Sequence, residues 1–271
     1  MAEPRVSLIL CVKNGMPYLP EAIESVRAQT FSDLEVVVQD AASTDGSLEA
    51  YSLLDRAEIV SEPDGGVGDA YARALARCRG EIIGSIDADN LLVPQTVERA
   101  VALFDAIPDA AAIYGAVSTI RADGSSVGVW VPAEFDVIDL LTCRLVPPFS
   151  TAFFSRPRCG DALAIDPELE TCADFDLWLR LAHLPIARTE EVLGATRLSD
   201  RSMSRRPERY DAFCRDKIGA LSRYLDGLGS NAVLDALRRR ALAGVYAWAA
   251  TSVYDIEGYS ERVQHYEAEA V

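Results

Sequence analysis

The feature that most narrows what this chain can fold into is an alternation of apolar runs and helix-period segments over residues 1–115. Strands that alternate with helices build a parallel sheet covered on both faces. Val6–Val12 is apolar almost throughout, as a strand buried on both faces requires. Leu19, Ala22, Ile23 and Val26 then recur at the spacing of one helix face. Leu34-Glu35-Val36-Val37-Val38 reads as a second strand that stops at Asp40. Ser43-Thr44-Asp45-Gly46-Ser47 supplies turn and N-cap residues to a helix over about 48–54. A short strand at Ile59-Val60, the loop Glu62-Pro63-Asp64-Gly65-Gly66, a helix over 67–78 and a strand over 82–86 follow. The expected class is α/β, a mostly parallel Rossmann-like central sheet flanked by helices.

Past Ala111 the texture changes. A helix is expected over about 94–104, with Pro94 tolerated in its first turn. Segments 117–120 and 127–131 flank Arg121-Ala122-Asp123-Gly124-Ser125 and read as a β-hairpin. Residues 149–154 look like another strand. Phe175, Leu177, Trp178 and Leu181 interleave with charge over 174–182, the pattern of an amphipathic helix. From Pro207 onward the pattern is helical. The expected division is one α/β domain over 1–204, in two parts (1–115 and 116–204), and a helical appendage over 205–271.

In an open parallel sheet, ligands gather beyond the carboxyl ends of the strands. Asp40, Asp64, Asp87 and Asp89 follow successive strands and are expected at that edge. Asp87-Ala88-Asp89 places two carboxylates at i and i+2, which point the same way off a pleat. Oxygen ligands so placed suit a hard divalent cation that shares its shell with waters and substrate phosphates. The formal net charge is −16, so an anionic diphosphate needs such a bridge to dock. The same charge argues against nucleic-acid binding, which relies on basic side chains. Asp40 could accept hydrogen bonds from a base or ribose; alternatively, Asp40 and Asp64 serve their own turns.

The six cysteines show no CxxC pairing, and the N-terminus carries no secretory signal. They are expected to be reduced thiols of a cytoplasmic protein. His183 and His265 are isolated and lack zinc-ligand spacing. The longest charge-free stretch, 241–254, is shorter than the ~20 residues a membrane span needs. It follows Arg238-Arg239-Arg240, so it either packs on the main domain or lies on a membrane surface.

Several segments together resemble family 2 glycosyltransferases. Ser7-Leu8-Ile9-Leu10, Asn14, Ser25 and Gln29-Thr30-Phe31-Ser32-Asp33-Leu34-Glu35 resemble the family's opening. Asp40-Ala41-Ala42-Ser43-Thr44-Asp45-Gly46-Ser47 is similar to its Asp-Asp-Gly-Ser-Thr-Asp-Gly-Ser stretch. Ser61-Glu62-Pro63-Asp64-Gly65-Gly66 and Gly80-Glu81-Ile82-Ile83-Gly84 lead on to Asp87-Ala88-Asp89-Asn90. Ala173-Asp174-Phe175-Asp176-Leu177-Trp178-Leu179-Arg180-Leu181 is similar to its Glu-Asp-Tyr-Asp-Leu-Trp-Leu-Arg-Leu segment. The likeness runs in order over residues 5–205. Independent motifs in order are far more specific than any one of them.

The resemblance implies a GT-A fold and an inverting transfer from a UDP-, GDP- or dTDP-sugar to a glycan, a lipid-linked glycan or a protein acceptor. It implies that the 1–204 domain is catalytic, its first part (1–115) binding the nucleotide-sugar and its second (116–204) facing the acceptor. It implies Mn²⁺ or Mg²⁺ at Asp89, with Asp87 near both the metal and the ribose. Asp40 would contact the base region; Cys11, Lys13, Asn14, Asp64 and Ala88 would wall the nucleotide-sugar pocket. Asp174 matches the catalytic base, although a local reading makes it a helix N-cap. Asp176 is expected to be structural, and Arg180 to pair with a carboxylate. The chain departs from the family pattern at Lys13, where an aromatic residue is frequent, at Ala41, Ala72, Asn90 and Ala173, and at Ser199, where a histidine is usual. In that last loop Arg201, Arg205 or Arg206 would supply a cationic contact to the diphosphate. The C-terminal helices would pack on the domain or mediate self-association, at the inner face of the cytoplasmic membrane if the enzyme is peripheral.

Two other readings remain at this point. Nucleotidyl transfer would need a glycine-rich basic loop after the first strand, and Lys13-Asn14-Gly15 is short for that. A non-catalytic nucleotide-sugar-binding or scaffolding module is made plausible by Ala41, Ala173 and Ser199.

Overall fold

A computed structural model describes residues 3–54 and 56–271. Its strands are β1 (Val6–Val12), β2 (Leu34–Asp40), β3 (Ala57–Ser61), β4 (Ile82–Ser85), β5 (Leu91–Leu92), β6 (Ala112–Arg121), β7 (Ser126–Trp130), β8 (Ala152–Ser155) and β9 (Ile186–Leu198). The helices are α1 (Leu19–Arg27), α2 (Ser47–Ala50), α3 (Val67–Arg77), α4 (Thr96–Ala106), α5 (Val137–Leu141), α6 (Arg156–Cys159), α7 (Ala173–Leu181), α8 (Tyr210–Gly227), α9 (Ala232–Glu257) and α10 (Glu261–Glu269). The strands form one sheet in the order β3-β2-β1-β4-β8-β6-β9-β5, with β7 hairpinned onto β6.

The β1–β2, β2–β3 and β1–β4 pairs are parallel, with Val6 opposite both Leu34 and Ile82. β8 runs antiparallel between β4 and β6, so β6 and its parallel partner β9 point the same way as β4. The carboxyl ends of β1, β2, β4, β6 and β9 therefore share one edge. Period-2 side chains divide the core. Leu8, Leu10, Val36 and Val38 pack with Leu19, Ile23, Val97 and Phe104 beneath α1 and α4. Ile9 and Val37 face the other layer, where Tyr71, Phe154, Phe175, Trp178, Leu221 and Val245 meet from α3, β8, α7, α8 and α9.

Three local readings need correction. The helix expected over 48–54 is α2 followed by a 3₁₀ turn, Tyr51–Leu53. The strand expected over 149–154 begins only at Ala152, because Phe149–Thr151 is a 3₁₀ turn anchored by Thr151 Oγ1 on the Gly115 carbonyl (2.9 Å). β9 was not anticipated: Arg188, Glu190, Glu191 and Arg197 break its apolar pattern along a half-buried strand. The apolar face of α9 turns inward through Ala241, Val245, Ala249 and Val253. Among the described residues, no helix is long and apolar enough to cross a membrane.

Candidate active site

β4 ends at Ser85, and the chain turns outward through Asp87, Ala88 and Asp89, all half-buried. Both Asp87 oxygens are engaged. The Tyr71 hydroxyl donates to Oδ1 (3.1 Å) from α3, and Asn90 Nδ2 donates to Oδ2 (2.8 Å). Burial and the neighbouring Asp89 carboxylate push the Asp87 carboxyl up to about 6, with Asp174 adding to the effect. Ser202 Oγ donates to Asp89 Oδ2 at 2.8 Å.

Behind this turn lies a buried arginine. Arg197 donates from Nε to the Asp89 carbonyl (3.1 Å), from Nη1 to the carbonyls of Arg121 (3.3 Å) and Ala122 (3.1 Å), and from Nη2 to Glu21 (2.7 Å). Its guanidinium lies 4.5 Å from the Tyr18 ring centroid, and its backbone N–H donates to Asn90 Oδ1 (3.1 Å). Asn90 thus joins Asp87 to β9 with one side chain.

The opposite wall is two loops laced together. Asn14 N donates to Ser43 Oγ, Thr44 N to Asn14 Oδ1, Gly15 N to Ser47 Oγ and Met16 N to Asp45 Oδ2, all within 3.0 Å. Asn14 adopts φ 55°, a left-handed conformation that Asn tolerates, and its side chain and that of Lys13 are exposed. A Cβ on Gly15 would stand 3.1 Å from the Ala88 methyl, so this wall closes against the Asp87–Asp89 turn. Arg201 Nη1 donates to the Met16 carbonyl (2.6 Å), pinning the 199–206 segment across the same loop. Cys11 is half-buried; burial and the nearby Asp87 and Asp64 carboxylates hold its thiol well above the usual range. Asp64, also half-buried, accepts from Gly66 N (3.1 Å).

Asp40 does not open into this pocket. Its side chain is fully enclosed: Ser43 N and Ser61 Oγ donate to Oδ1, and Tyr51 OH donates to Oδ2. Burial raises its carboxyl, but these donors outweigh burial and hold it below the ordinary carboxylate range. The turn-chemistry alternative describes this geometry.

Asp174 sits in the first turn of α7, half-buried, and no hydrogen bond reaches its carboxylate among the described residues. Asp174 adds to the upward push on the Asp87 carboxyl, less strongly than Asp89 does, so its carboxylate lies on the Asp87 side of α7. Asp176, one residue beyond Phe175, is buried and paired with Arg180 (2.6 Å) and Arg223 (3.0 Å). Arg197 is paired with Glu21, and Arg180 and Arg223 with Asp176, while the buried Lys217 ammonium is the cation whose charge Asp174 helps to hold.

Among the described residues, no group of three or more His, Cys, Asp or Glu side chains is arranged to hold a metal ion. Two carboxylates at a half-open turn, crowded enough to raise Asp87, fit a cation that completes its shell with phosphate oxygens and water. Tyr71, Asn90 and Ser202 are site residues that motif reading alone does not assign. The helical spacing of Val67, Tyr71, Ala74 and Cys78 does place Tyr71 on the inner face of α3.

A sequence profile described as Glycosyl transferase family 2 matches residues 7–153. An uncharacterized glycosyltransferase of Rickettsia felis is 28% identical over 222 residues, 78% of this chain and 37% of the relative. The chain therefore spans little more than a third of that relative's length. Residues 1–349 of Staphylococcus aureus TarS, solved with UDP-GlcNAc, superpose with a TM-score of 0.70 at 18% identity, over 98% of this chain and 79% of that one. A Pyrobaculum calidifontis mannosyltransferase, solved with GDP-Man and Mn²⁺, gives 0.63 at 19% identity, over 100% and 80% of the respective chains. These structures share the fold of this chain.

Proposed function

Because the chain belongs to glycosyl transferase family 2, an inverting family, we propose that it moves a sugar from a nucleotide-diphosphate sugar to a hydroxyl group of a glycan, lipid-linked glycan or protein acceptor. The observation that carries this reading is the Asp174 carboxylate, half-buried in the first turn of α7, without a hydrogen-bond partner among the described residues and near enough to Asp87 to push its carboxyl upward. An acceptor hydroxyl is a poor nucleophile. A carboxylate within hydrogen-bond reach takes its proton as the new C–O bond forms. Among the described residues no hydrogen-bond donor reaches Asp174, so it is available for that role. Attack from its side, opposite the departing diphosphate, inverts the anomeric carbon.

The donor would lie across the edge formed by Cys11, Asn14, Asp64 and Ala88, with Asp87 toward the ribose. Asp40 supports this pocket from beneath by fixing the 41–47 loop. Lys13 and Arg201 would face the diphosphate. Asp89, with Asp87, would hold Mn²⁺ or Mg²⁺, whose Lewis acidity offsets charge on the leaving group. The bound donors of the structural neighbours support a nucleotide-sugar here, with UDP-, GDP- and dTDP-sugars as the candidates. A lipid-linked acceptor would bring the protein to the inner face of the cytoplasmic membrane.

Asp174→Asn tests this directly. Transfer is expected to fall about 10²–10⁴-fold, the usual scale for losing a general base. Donor affinity by calorimetry with Mn²⁺ is expected to stay within about twofold. Full activity in the variant would remove the base. Donor binding without transfer in the wild type, across donors and acceptors, would favour the non-catalytic module instead.

A further inference from the structure

The stretch around Asp174 is gripped on both sides by one helix of the C-terminal extension. Glu170 is paired with Arg215 Nη2 (2.8 Å), and its carbonyl accepts from Arg209 just before α8 (3.5 Å). The Thr171 backbone N–H and hydroxyl both donate to Asp216 Oδ2, at 2.7 and 2.8 Å. Cys172 Sγ contacts the Phe213 carbonyl at 3.7 Å. On the far side, Lys217 Nζ lies 4.0 Å from the Phe175 ring centroid and 4.5 Å from that of Trp248. Arg223 then pairs with Asp176 at 3.0 Å.

The grip has work to do. Cys172 is held at φ 47°, a left-handed conformation costly for a residue with a side chain, and it caps α7 without a side-chain hydrogen bond. Strain of that kind persists only where the surroundings over-determine it. Thr171, Asp216 and Lys217 are all buried, at 1%, 8% and 4% exposure, so these contacts are shielded from water. A charge-assisted pair of hydrogen bonds in that setting holds geometry firmly.

We propose that α8 is a positioning element of the active site, with Asp216 the positioning residue that fixes the turn presenting the Asp174 carboxylate to the acceptor. The proposal rests on the reading of Asp174 as the base. Asp216 touches no substrate. It acts through Thr171, and Lys217 supports the same turn from beneath Phe175.

The test uses the full chain and four variants. Asp216→Ala is expected to lower kcat about tenfold or more, the scale of losing a buried charge-assisted hydrogen bond. Donor KM, and nucleoside-diphosphate affinity by calorimetry with Mn²⁺, are expected to stay within about twofold. Asp216→Asn keeps an acceptor oxygen for Thr171 and is expected to restore most of kcat. If Asp216→Ala fails to fold, Thr171→Val, which removes only the hydroxyl bond, is expected to lower kcat several-fold with donor KM intact. An unchanged kcat in the variant that folds would overturn the proposal. So would a parallel loss of kcat and donor affinity that Asn does not rescue. Asp174→Asn, assayed alongside, separates the two readings: retained transfer there defeats the base itself, whereas its loss beside a fully active Asp216→Ala defeats only the role of α8.

Discussion

At Asp40, three donors converge on a side chain with no solvent exposure: Ser43 N, Ser61 Oγ and Tyr51 OH, all within 2.9 Å. Position after β2 suggested a ligand contact, and the motif around it reinforced that. Burial and bond count were the deciding quantities, and neither is written in a strand-end aspartate. Asp174 is the opposite case, since its candidacy comes from the sequence and its lack of hydrogen-bond partners among the described residues from the structure. The lowered Asp40 carboxyl has a stability consequence with a definite sign. Its contribution is fully present above the unfolded carboxylate value of ~3.9 and is lost as pH falls through the lower folded value. Asp40→Asn is therefore expected to be less stable than wild type by about 1–3 kcal/mol at pH 7. The gap should close as the buffer is taken below about pH 4. Urea melts at pH 7, 5, 4 and 3 would check this, and a gap independent of pH would show that the carboxylate charge is not what the three donors recognise.

Elements were legible where their core-facing pattern was unbroken. β1, β4 and the Val36-Val37-Val38 centre of β2 are uncharged, largely apolar runs, and the structure places strands at those residues because both faces are covered. β9 escaped because a half-buried strand may carry charge on one side, and its register comes from β6 rather than from its own composition. Residues 149–151 look equally strand-like, yet Pro147 and Pro148 immediately before them offer no backbone N–H for a ladder, and a 3₁₀ turn follows. Element contact also explains Gly68. A Cβ there would stand 2.3 Å from the Asp166 carbonyl and 2.8 Å from that of Leu169, so α3 meets the loop before α7 backbone to backbone. Gly68→Ala is expected to cost about 1–3 kcal/mol of stability by overpacking. It should also lower transfer, because the displaced loop leads into the turn that carries Asp174. Thermal melts and kcat report both effects, and an alanine that leaves melting unchanged would mean the two backbones are not pressed together.

For the whole molecule, the open matter is whether residues 205–271 are an attachment or part of the catalytic fold. Leu221 and Leu225 of α8, Val245 and Val253 of α9 and Val263 of α10 are at most 2% exposed and join Phe175 and Trp178 in a continuous core. Trp248 of α9 packs on Tyr210 and Phe213 of α8, with centroids 5.3 and 5.8 Å away, and Tyr266 OH of α10 donates to Asp211 of α8 (2.6 Å). Burying each Leu or Val side chain contributes about 1.5–3 kcal/mol. These few together rival the ~5–15 kcal/mol net stability of a folded domain. A chain ending at Arg206 would uncover the side of α7 that carries Phe175, which Lys217 of α8 now covers, while keeping every motif residue from Ser7 to Ser204. It is therefore expected to lose cooperative unfolding and to aggregate, although each residue of the proposed chemistry is still present. Circular dichroism melts and gel filtration of that truncation decide the matter. A monomeric truncation with a sharp transition and intact donor binding would make the helices a true attachment, and would leave α7 held by the sheet alone.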